Sequence, residues 1–107
     1  MQETAPYKMQ LEGTLAELET RLRRLQRDLD EPHDPDSSER AVQMEDDDSL
    51  EEQARLVTRE IASVRRALDR IAADEYGYCV QCGEMISEGR LAARPEAALC
   101  IACAEKG

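Results

Sequence analysis

Four cysteines constrain this chain more than any other feature, because they form two Cys-x-x-Cys pairs separated by seventeen residues. Each pair places two thiols on one side of a tight turn, and two such pairs supply the four thiolates that tetrahedral zinc prefers. Gly83 follows the first pair at a point where a left-handed backbone is often needed. We therefore predict one structural Zn²⁺ ion with four protein ligands: Cys79, Cys82, Cys100 and Cys103.

Two other interpretations of the cysteines are a redox pair and buried free thiols. Redox Cys-x-x-Cys motifs usually occur once, within an alternating strand–helix pattern, and this chain lacks that pattern. Four protein ligands also leave no coordination position open for a substrate. We therefore expect the metal to hold the fold and the chain not to be an enzyme.

A seam of leucines precedes the cysteines and predicts a first helix. The leucines recur at alternating steps of four and three residues, the 3.5-residue repeat of a coiled-coil seam. Thr4 and Pro6 provide a plausible start and Asp30 to Pro32 a stop. The seam consists of Leu11, Leu15, Leu18, Leu22, Leu25 and Leu29.

A second seam with the same spacing predicts a second helix that ends near Asp74. Its start is open: capping-box patterns occur at residues 36–39 and 49–52, and the helix could also run continuously through the acidic patch at residues 45–48. The seam consists of Leu50, Ala54, Val57, Ile61, Val64, Leu68 and Ile71.

The two seams predict a mainly α fold, a long antiparallel helical hairpin followed by a small four-cysteine zinc globule. We expect the hairpin over residues 1–75, with its tip at about 32–41, and the zinc finger over 76–107. Pairing within one chain is favoured over an intermolecular coiled coil, because the seams are similar in length and one short polar turn joins them. The expected state is a monomer.

Composition limits the partners of the chain. The net charge is −10, and the arginines of the first helix are interleaved with acids, so direct nucleic-acid binding is not expected. A protein with a positively charged entrance is a better partner. No apolar run is long enough for a membrane span, and residues 1–10 lack a signal-peptide layout, so we expect a cytoplasmic protein without membrane contact.

Several motifs together resemble the DksA/TraR family of bacterial transcription factors. They are Tyr-Gly-Tyr-Cys-Val-Gln-Cys-Gly at 76–83, Arg-Leu-Ala-Ala-Arg-Pro at 90–95 and Leu-Cys-Ile-Ala-Cys at 99–103. The resemblance is dense from about residue 34 to 103, and it implies a short member of the family. It also implies binding to RNA polymerase, with the hairpin tip inserted in the secondary channel, modulation of initiation, and a place in the stringent response.

The resemblance also assigns residues to the polymerase-contacting tip. Aligned back from residues 76–79 without gaps, the tip motif falls on Asp36, Glu39, Arg40 and Ala41. Glu39 departs from the family pattern, which has aspartate there. The alternative for the two acids is an ordinary capping pair, with Asp36 as the N-cap and Glu39 at the third helical position.

Responsive members of the family share a guanosine tetraphosphate site with polymerase, formed by two lysines and an arginine. The matching positions here are Ser63, Arg94 and Ala104, so Arg94 alone keeps its cation and remains a possible alarmone or channel-rim contact. A phosphate site without two cations should bind weakly. Candidate replacements are Arg65, Arg66 and Lys106.

Competing functions remain open from sequence. The chain could be a zinc-stapled acidic coiled-coil adaptor, an inactive paralogue without transcriptional activity, or a redox or metal-handling protein. Arg90 could pair with acids on the zinc globule or reach polymerase. His33 is expected to be solvated, and the acidic patch at 45–48 to be a solvated face.

Overall fold

The computed structural model of the protein describes residues 3–30 and 40–106, and over 40–47 it describes the helical backbone alone. No β-strand occurs in this described part, although one isolated antiparallel bridge joins Tyr78 to Met85. The architecture is therefore mainly α, as the seams predict. In chain order the helices are α1 (Ala5–Asp30), α2 (Arg40–Ala72), α3 (Glu88–Ala93) and α4 (Ile101–Lys106).

The predicted start of α1 is confirmed. The helix begins at Ala5, and the Lys8 amide donates to the Thr4 carbonyl at 2.8 Å. Pro6 lies in the first turn, where its missing N–H removes no intrahelical bond. α1 is described as far as Asp30, and the rest of its predicted stop, residues 31 and 32, lies outside the described residues.

The structure decides among the proposed starts of α2. The helix includes residues 45–48, so it is continuous through the acidic patch and a start at Ser49 is wrong. The Ser49 hydroxyl accepts instead from the Gln53 side chain at 3.4 Å. A cap stabilises a helix by only about 1 kcal/mol, which does not interrupt a segment that lacks Pro and Gly. The alternative start near Ser37 lies outside the described residues.

The two seams pack against each other within the chain, which confirms the predicted hairpin. Three side chains of each seam are buried, and all the remaining seam residues except Leu29 pack against that core. Arg65 of α2 and Glu19 of α1 form an exposed ion pair at 3.6 Å across the helices. The buried seam residues are Leu11, Leu18, Leu25, Val57, Ile61 and Val64.

α2 ends in a Schellman motif. The Glu75 amide donates to the Arg70 carbonyl at 2.8 Å, and the Asp74 amide donates to the Ile71 carbonyl at 3.1 Å. This 6→1 and 5→2 pattern requires a left-handed residue between the helix and the chain that follows. Asp74 takes that conformation, with φ 59°. The motif turns the chain back toward the hairpin.

A single apolar core joins the hairpin to the residues that follow it. Tyr76, Ile86 and Leu91 are buried in the same cluster as Leu11 of α1. Ala67 of α2 is fully buried although it lies outside the predicted seam. No helix in the described ranges is long and apolar enough to cross a membrane.

Candidate metal centre and hairpin base

The four cysteine thiols converge on one point. All four sulfur atoms lie within 4.8 Å of one another, and the Cys82 and Cys100 sulfurs are 3.7 Å apart. Tetrahedral zinc with Zn–S bonds of about 2.3 Å needs sulfur atoms about 3.8 Å apart. The cluster therefore has the size of a four-thiolate zinc site. Cys79 and Cys103 are buried, whereas Cys82 is exposed.

The first cysteine pair lies in a tight loop. The Cys79 amide donates to the Glu84 carbonyl at 2.8 Å, and the Gly83 amide donates to the Cys79 carbonyl at 2.9 Å. Gly83 has φ +79°, which confirms the predicted left-handed position. A side chain at this position would strain the backbone that brings both sulfurs to one side.

The second pair lies at the start of α4. Cys100 immediately precedes the helix, and its carbonyl accepts from the Ala104 amide at 2.9 Å. Cys103 is therefore within the first turn of α4, one helical turn after Cys100. This spacing places both thiols on the same side of the helix.

The surroundings give the thiols different affinities for protons. Burial disfavours the Cys79 thiolate, but amides of Cys100, Cys82 and Gln81 outweigh it and lower the pKa of Cys79 to about 6. Hydrogen bonding with the Cys100 sulfur, together with burial, raises the pKa of Cys103 to about 12. Adjacent thiolates repel one another, so a divalent cation is needed for all four to ionise near neutral pH.

Comparison with known families agrees with the hairpin and the cysteine cluster. Residues 7–71 match the family described as DnaK suppressor protein-like, N-terminal domain. Residues 74–106 match the prokaryotic dksA/traR C4-type zinc finger. The chain belongs to the DksA/TraR family. It carries one structural zinc site, which the four cysteines would form, and the ion would supply folding free energy to this small module.

Relatives of this DksA/TraR family member share part of its sequence. RNA polymerase-binding transcription factor DksA of Haemophilus influenzae is 43% identical over 70 residues, and that of Escherichia coli K12 is 41% identical. These regions cover 64% of this chain but 48% and 46% of those proteins. The chain thus spans about half the length of the curated relatives it matches.

Two solved structures are also similar. Transcription factor DksA2 from Pseudomonas aeruginosa matches with a TM-score of 0.81 and 29% identity, over 94% of this chain and 78% of that one. DnaK suppressor protein from Agrobacterium tumefaciens C58 matches with a TM-score of 0.70 and 34% identity, over 100% of this chain and 96% of that one. Both matches extend over hairpin and zinc finger together.

The predicted tip residues fall at the edge of the structural description. Asp36 and Glu39 lie outside the described residues. Arg40 and Ala41 form the first turn described for α2, where the backbone alone is given. The tip assignment therefore stays a prediction.

The structure brings two of the three predicted alarmone positions together. Ser63 and Arg94 line one cleft of about 650 Å³ between the hairpin and the zinc module, residues 76–106. Arg59, one turn before Ser63, lines the same cleft, whereas Ala104 is not part of its lining. Among the candidate replacements, Arg65 lines a different groove beside Glu19.

Arg90 has a structural partner that sequence analysis missed. Its Nε donates to the Leu99 carbonyl at 2.9 Å, whereas the sequence suggests an acid of the zinc globule or polymerase as its partner. Arg70 also donates to backbone carbonyls, those of Glu96 and Ala97. No local pattern signals this role, because Arg70 resembles any other arginine on a charged helix.

Proposed function

We propose that this chain regulates transcription by binding bacterial RNA polymerase and that it has no enzymatic activity of its own. The observation that carries the proposal is the likeness to transcription factor DksA2, with a TM-score of 0.81 across 94% of this chain. Relatives named RNA polymerase-binding transcription factors support the choice of partner. They are matched over about half their length, so their partner is inferred for this chain.

The proposed mode of binding is insertion of the hairpin tip into the secondary channel. A hairpin of two helices is narrow, and α2 alone is about 50 Å long at 1.5 Å per residue. The zinc module adds width at the opposite end, so it would remain at the channel entrance. The net charge of −10 favours approach to a basic entrance and disfavours direct contact with nucleic acid.

The tip is proposed to act through Asp36, Glu39, Arg40 and Ala41, which would modulate initiation by destabilising open promoter complexes. Glu39 in place of aspartate moves the carboxylate by up to about 1.5 Å, one carbon–carbon bond. In a site that depends on close positioning, a displacement of this size weakens activity. We therefore infer that the tip is detuned relative to members with aspartate.

A weak response to guanosine tetraphosphate is also part of the proposal. Ser63 and Ala104 carry no charge where responsive relatives have lysines, and Arg94 alone keeps its cation. Arg59 lies in the same cleft as Arg94 and is a better-placed replacement than Arg65. Two arginines can hold a phosphate group, but fewer cations lower the affinity for a polyphosphate.

The test is in vitro transcription from a ribosomal RNA promoter with polymerase from the same host. The zinc-loaded native chain is compared with Asp36→Asn, Glu39→Asp and the control Asp69→Asn, which removes one acid at the opposite end of the hairpin. Each is assayed with and without guanosine tetraphosphate, and polymerase binding is measured in parallel.

We expect inhibition by the native chain, little change with the nucleotide, a stronger effect from Glu39→Asp, and loss of effect without loss of binding in Asp36→Asn. Activity in Glu39→Asp alone would mean that docking is intact and the tip is detuned. Failure of all the folded, zinc-loaded proteins to bind polymerase would contradict the proposal and leave the acidic adaptor as the better function.

A further inference from the structure

The segment at residues 95–99, which leads into Cys100, is bonded at every carbonyl. We call it the clasp segment. The five acceptors are consecutive, yet their donors come from α2, from the chain four residues after α2, from the first cysteine loop and from α3. The bonds are Tyr76 hydroxyl to Pro95 (2.8 Å), Arg70 Nη2 to Glu96 and Ala97 (3.4 Å each), Val80 amide to Ala98 (2.9 Å) and Arg90 Nε to Leu99 (2.9 Å).

One end of the clasp segment is fixed to the metal centre. Val80 lies between Cys79 and Cys82, so its bond to Ala98 ties the first cysteine loop to the segment. Leu99 is the residue immediately before Cys100. When all four thiols share one ion, the first loop and Cys100 are held at a fixed separation, and the register of the clasp segment is fixed with them.

The other end of the clasp segment is fixed to the hairpin base, which comprises residues 5–11 and 64–72. Arg70 is partly buried, and burial lowers its pKa, as expected for a cation that has left bulk water. It lies one turn after Ala67, which is fully buried, so this face of α2 is covered rather than solvated. Tyr76 is buried as well, and its ring packs against Tyr7 of α1. Both helices thus contact the residues that hold the clasp segment.

We propose that the clasp segment couples zinc occupancy to the seating of the zinc module on the hairpin, with Arg70 as the positioning residue. Arg70 reaches both carbonyls only when the segment has the register that the closed metal site imposes. Zinc binding therefore strengthens the contact between module and hairpin, and that contact in turn strengthens zinc binding by the same factor. This linkage goes beyond the proposed function and does not depend on polymerase.

The test compares Arg70→Met with Arg66→Met, a matched change on an exposed arginine one turn away whose side chain contacts Ser63. Zinc affinity is measured on the full chain by competition with a chromophoric chelator. Loss of groups that support metal ligands typically weakens metal binding by 10–100-fold. Arg70 does not contact the ligands directly, so its effect should be smaller. We expect the zinc dissociation constant of Arg70→Met to be about three- to tenfold higher than that of the native chain, and that of Arg66→Met to stay within about twofold.

Hydrogen exchange provides a second readout that a general loss of stability would not reproduce. In the native chain, zinc should slow amide exchange at residues 64–72 and 5–11, the hairpin base. In Arg70→Met that slowing should be lost, while exchange near residues 15–25 stays unchanged. Tyr76→Phe keeps the ring and removes one clasp bond, and it should give an intermediate result. If Arg70→Met loses helicity, the Tyr76→Phe variant provides the test in its place.

Two results would overturn the inference. One is a zinc dissociation constant for Arg70→Met equal to that of Arg66→Met. The other is a hairpin base whose exchange does not respond to zinc in the native chain. Either would mean that the metal site and the hairpin fold independently and that the Arg70 contacts are passive.

Discussion

Tyr76 packs its ring against Tyr7, with ring centroids 5.5 Å apart and planes inclined at 43°. The pair joins the first turn of α1 to the chain that leaves α2, three residues before the first metal ligand. Phe and Trp are absent from the protein, and Tyr78 is the one other aromatic residue. Tyr7 and Tyr76 therefore supply most of the aromatic surface available to the core.

Replacing Tyr76 with phenylalanine should lower the free energy of unfolding by about 1–2 kcal/mol. The change leaves the buried Pro95 carbonyl without the hydroxyl that donates to it at 2.8 Å. Chemical denaturation of zinc-loaded protein measures the difference. Tyr78→Phe is the matched control, because Tyr78 is 49% exposed and its hydroxyl can bond to water. An equal loss in both variants would contradict the prediction.

Alkaline pH should destabilise the native chain more than the Tyr76→Phe variant. Burial, followed by the neighbouring Tyr7, raises the pKa of Tyr76 from 10.0 to about 12. The unfolded chain therefore loses this proton first, and stability contributed by the neutral phenol falls between pH 10 and about 12. Denaturation curves at pH 9 and 11 should show that the native chain exceeds Tyr76→Phe in free energy of unfolding by less at pH 11 than at pH 9. A larger difference at pH 11 would show the opposite shift.

Zinc removal should unfold the zinc module and leave much of the hairpin helical. The module, residues 76–106, contains two six-residue helices and its four thiols surround one point, so the metal supplies folding free energy that this small core cannot. We expect one zinc per chain by elemental analysis, and loss of the dispersed Met85 and Ile86 amide resonances on chelation. Cys103→Ser, at a buried ligand, should reproduce that loss without chelator. Retention of the module after complete metal removal would contradict the prediction.

Asp74→Gly should stabilise the protein by about 0.5–1 kcal/mol, because glycine adopts the left-handed conformation without steric cost. Asp74 has φ 59° and is exposed, so no packing is lost. Ala72→Gly, two residues earlier and still helical, is the control and should destabilise by about 1 kcal/mol. Thermal unfolding measures both. Destabilisation by both changes would mean that the Asp74 side chain contributes more than its backbone strain costs.

Leu11→Ala should lower the free energy of unfolding by about 2–5 kcal/mol. This is the range for truncating a buried leucine when the surrounding core does not fully fill the cavity. Leu11 is 1% exposed and lies in the cluster that joins both helices to the zinc module. Met9→Ala, on the same helix at 74% exposure, should change stability by less than about 0.5 kcal/mol. Urea denaturation with equal m-values distinguishes the two. Comparable losses would place the core elsewhere.

Local patterns were sufficient for the hairpin and for the metal ligands. Leucine recurrence at 3.5 residues is a property of the helix itself, and it correctly selects Leu18 and Val57 as core. The Cys-x-x-Cys spacing brings two thiols together within one turn. The tertiary fold then has only to place the two pairs next to each other. The tip assignment, including Asp36 and Glu39, rests on family resemblance and remains a prediction.

Competition between local signals was resolved only by the fold. Ser49 heads a sound capping pattern, yet α2 continues through it, since propagation of a helix outweighs one cap. Ala67 lies outside the seam and is nevertheless fully buried, because a second surface covers that face of α2. The sequence offers Arg90 acids of the zinc module or polymerase as partners, and within the fold its Nε donates to a carbonyl nine residues further along.

The sequence by itself determined the two long helices of the hairpin and the four cysteines of the metal site, because helical periodicity and cysteine spacing act over a few residues; it did not indicate the short helices α3 and α4. Only the tertiary structure decided how the zinc module sits on the hairpin. That seating depends on Arg70, Tyr76 and the carbonyls of residues 95–99, which are about twenty residues apart or more in the chain. Every residue has the same backbone carbonyl, so a sequence pattern cannot predict which carbonyl accepts a hydrogen bond from a side chain distant in the chain.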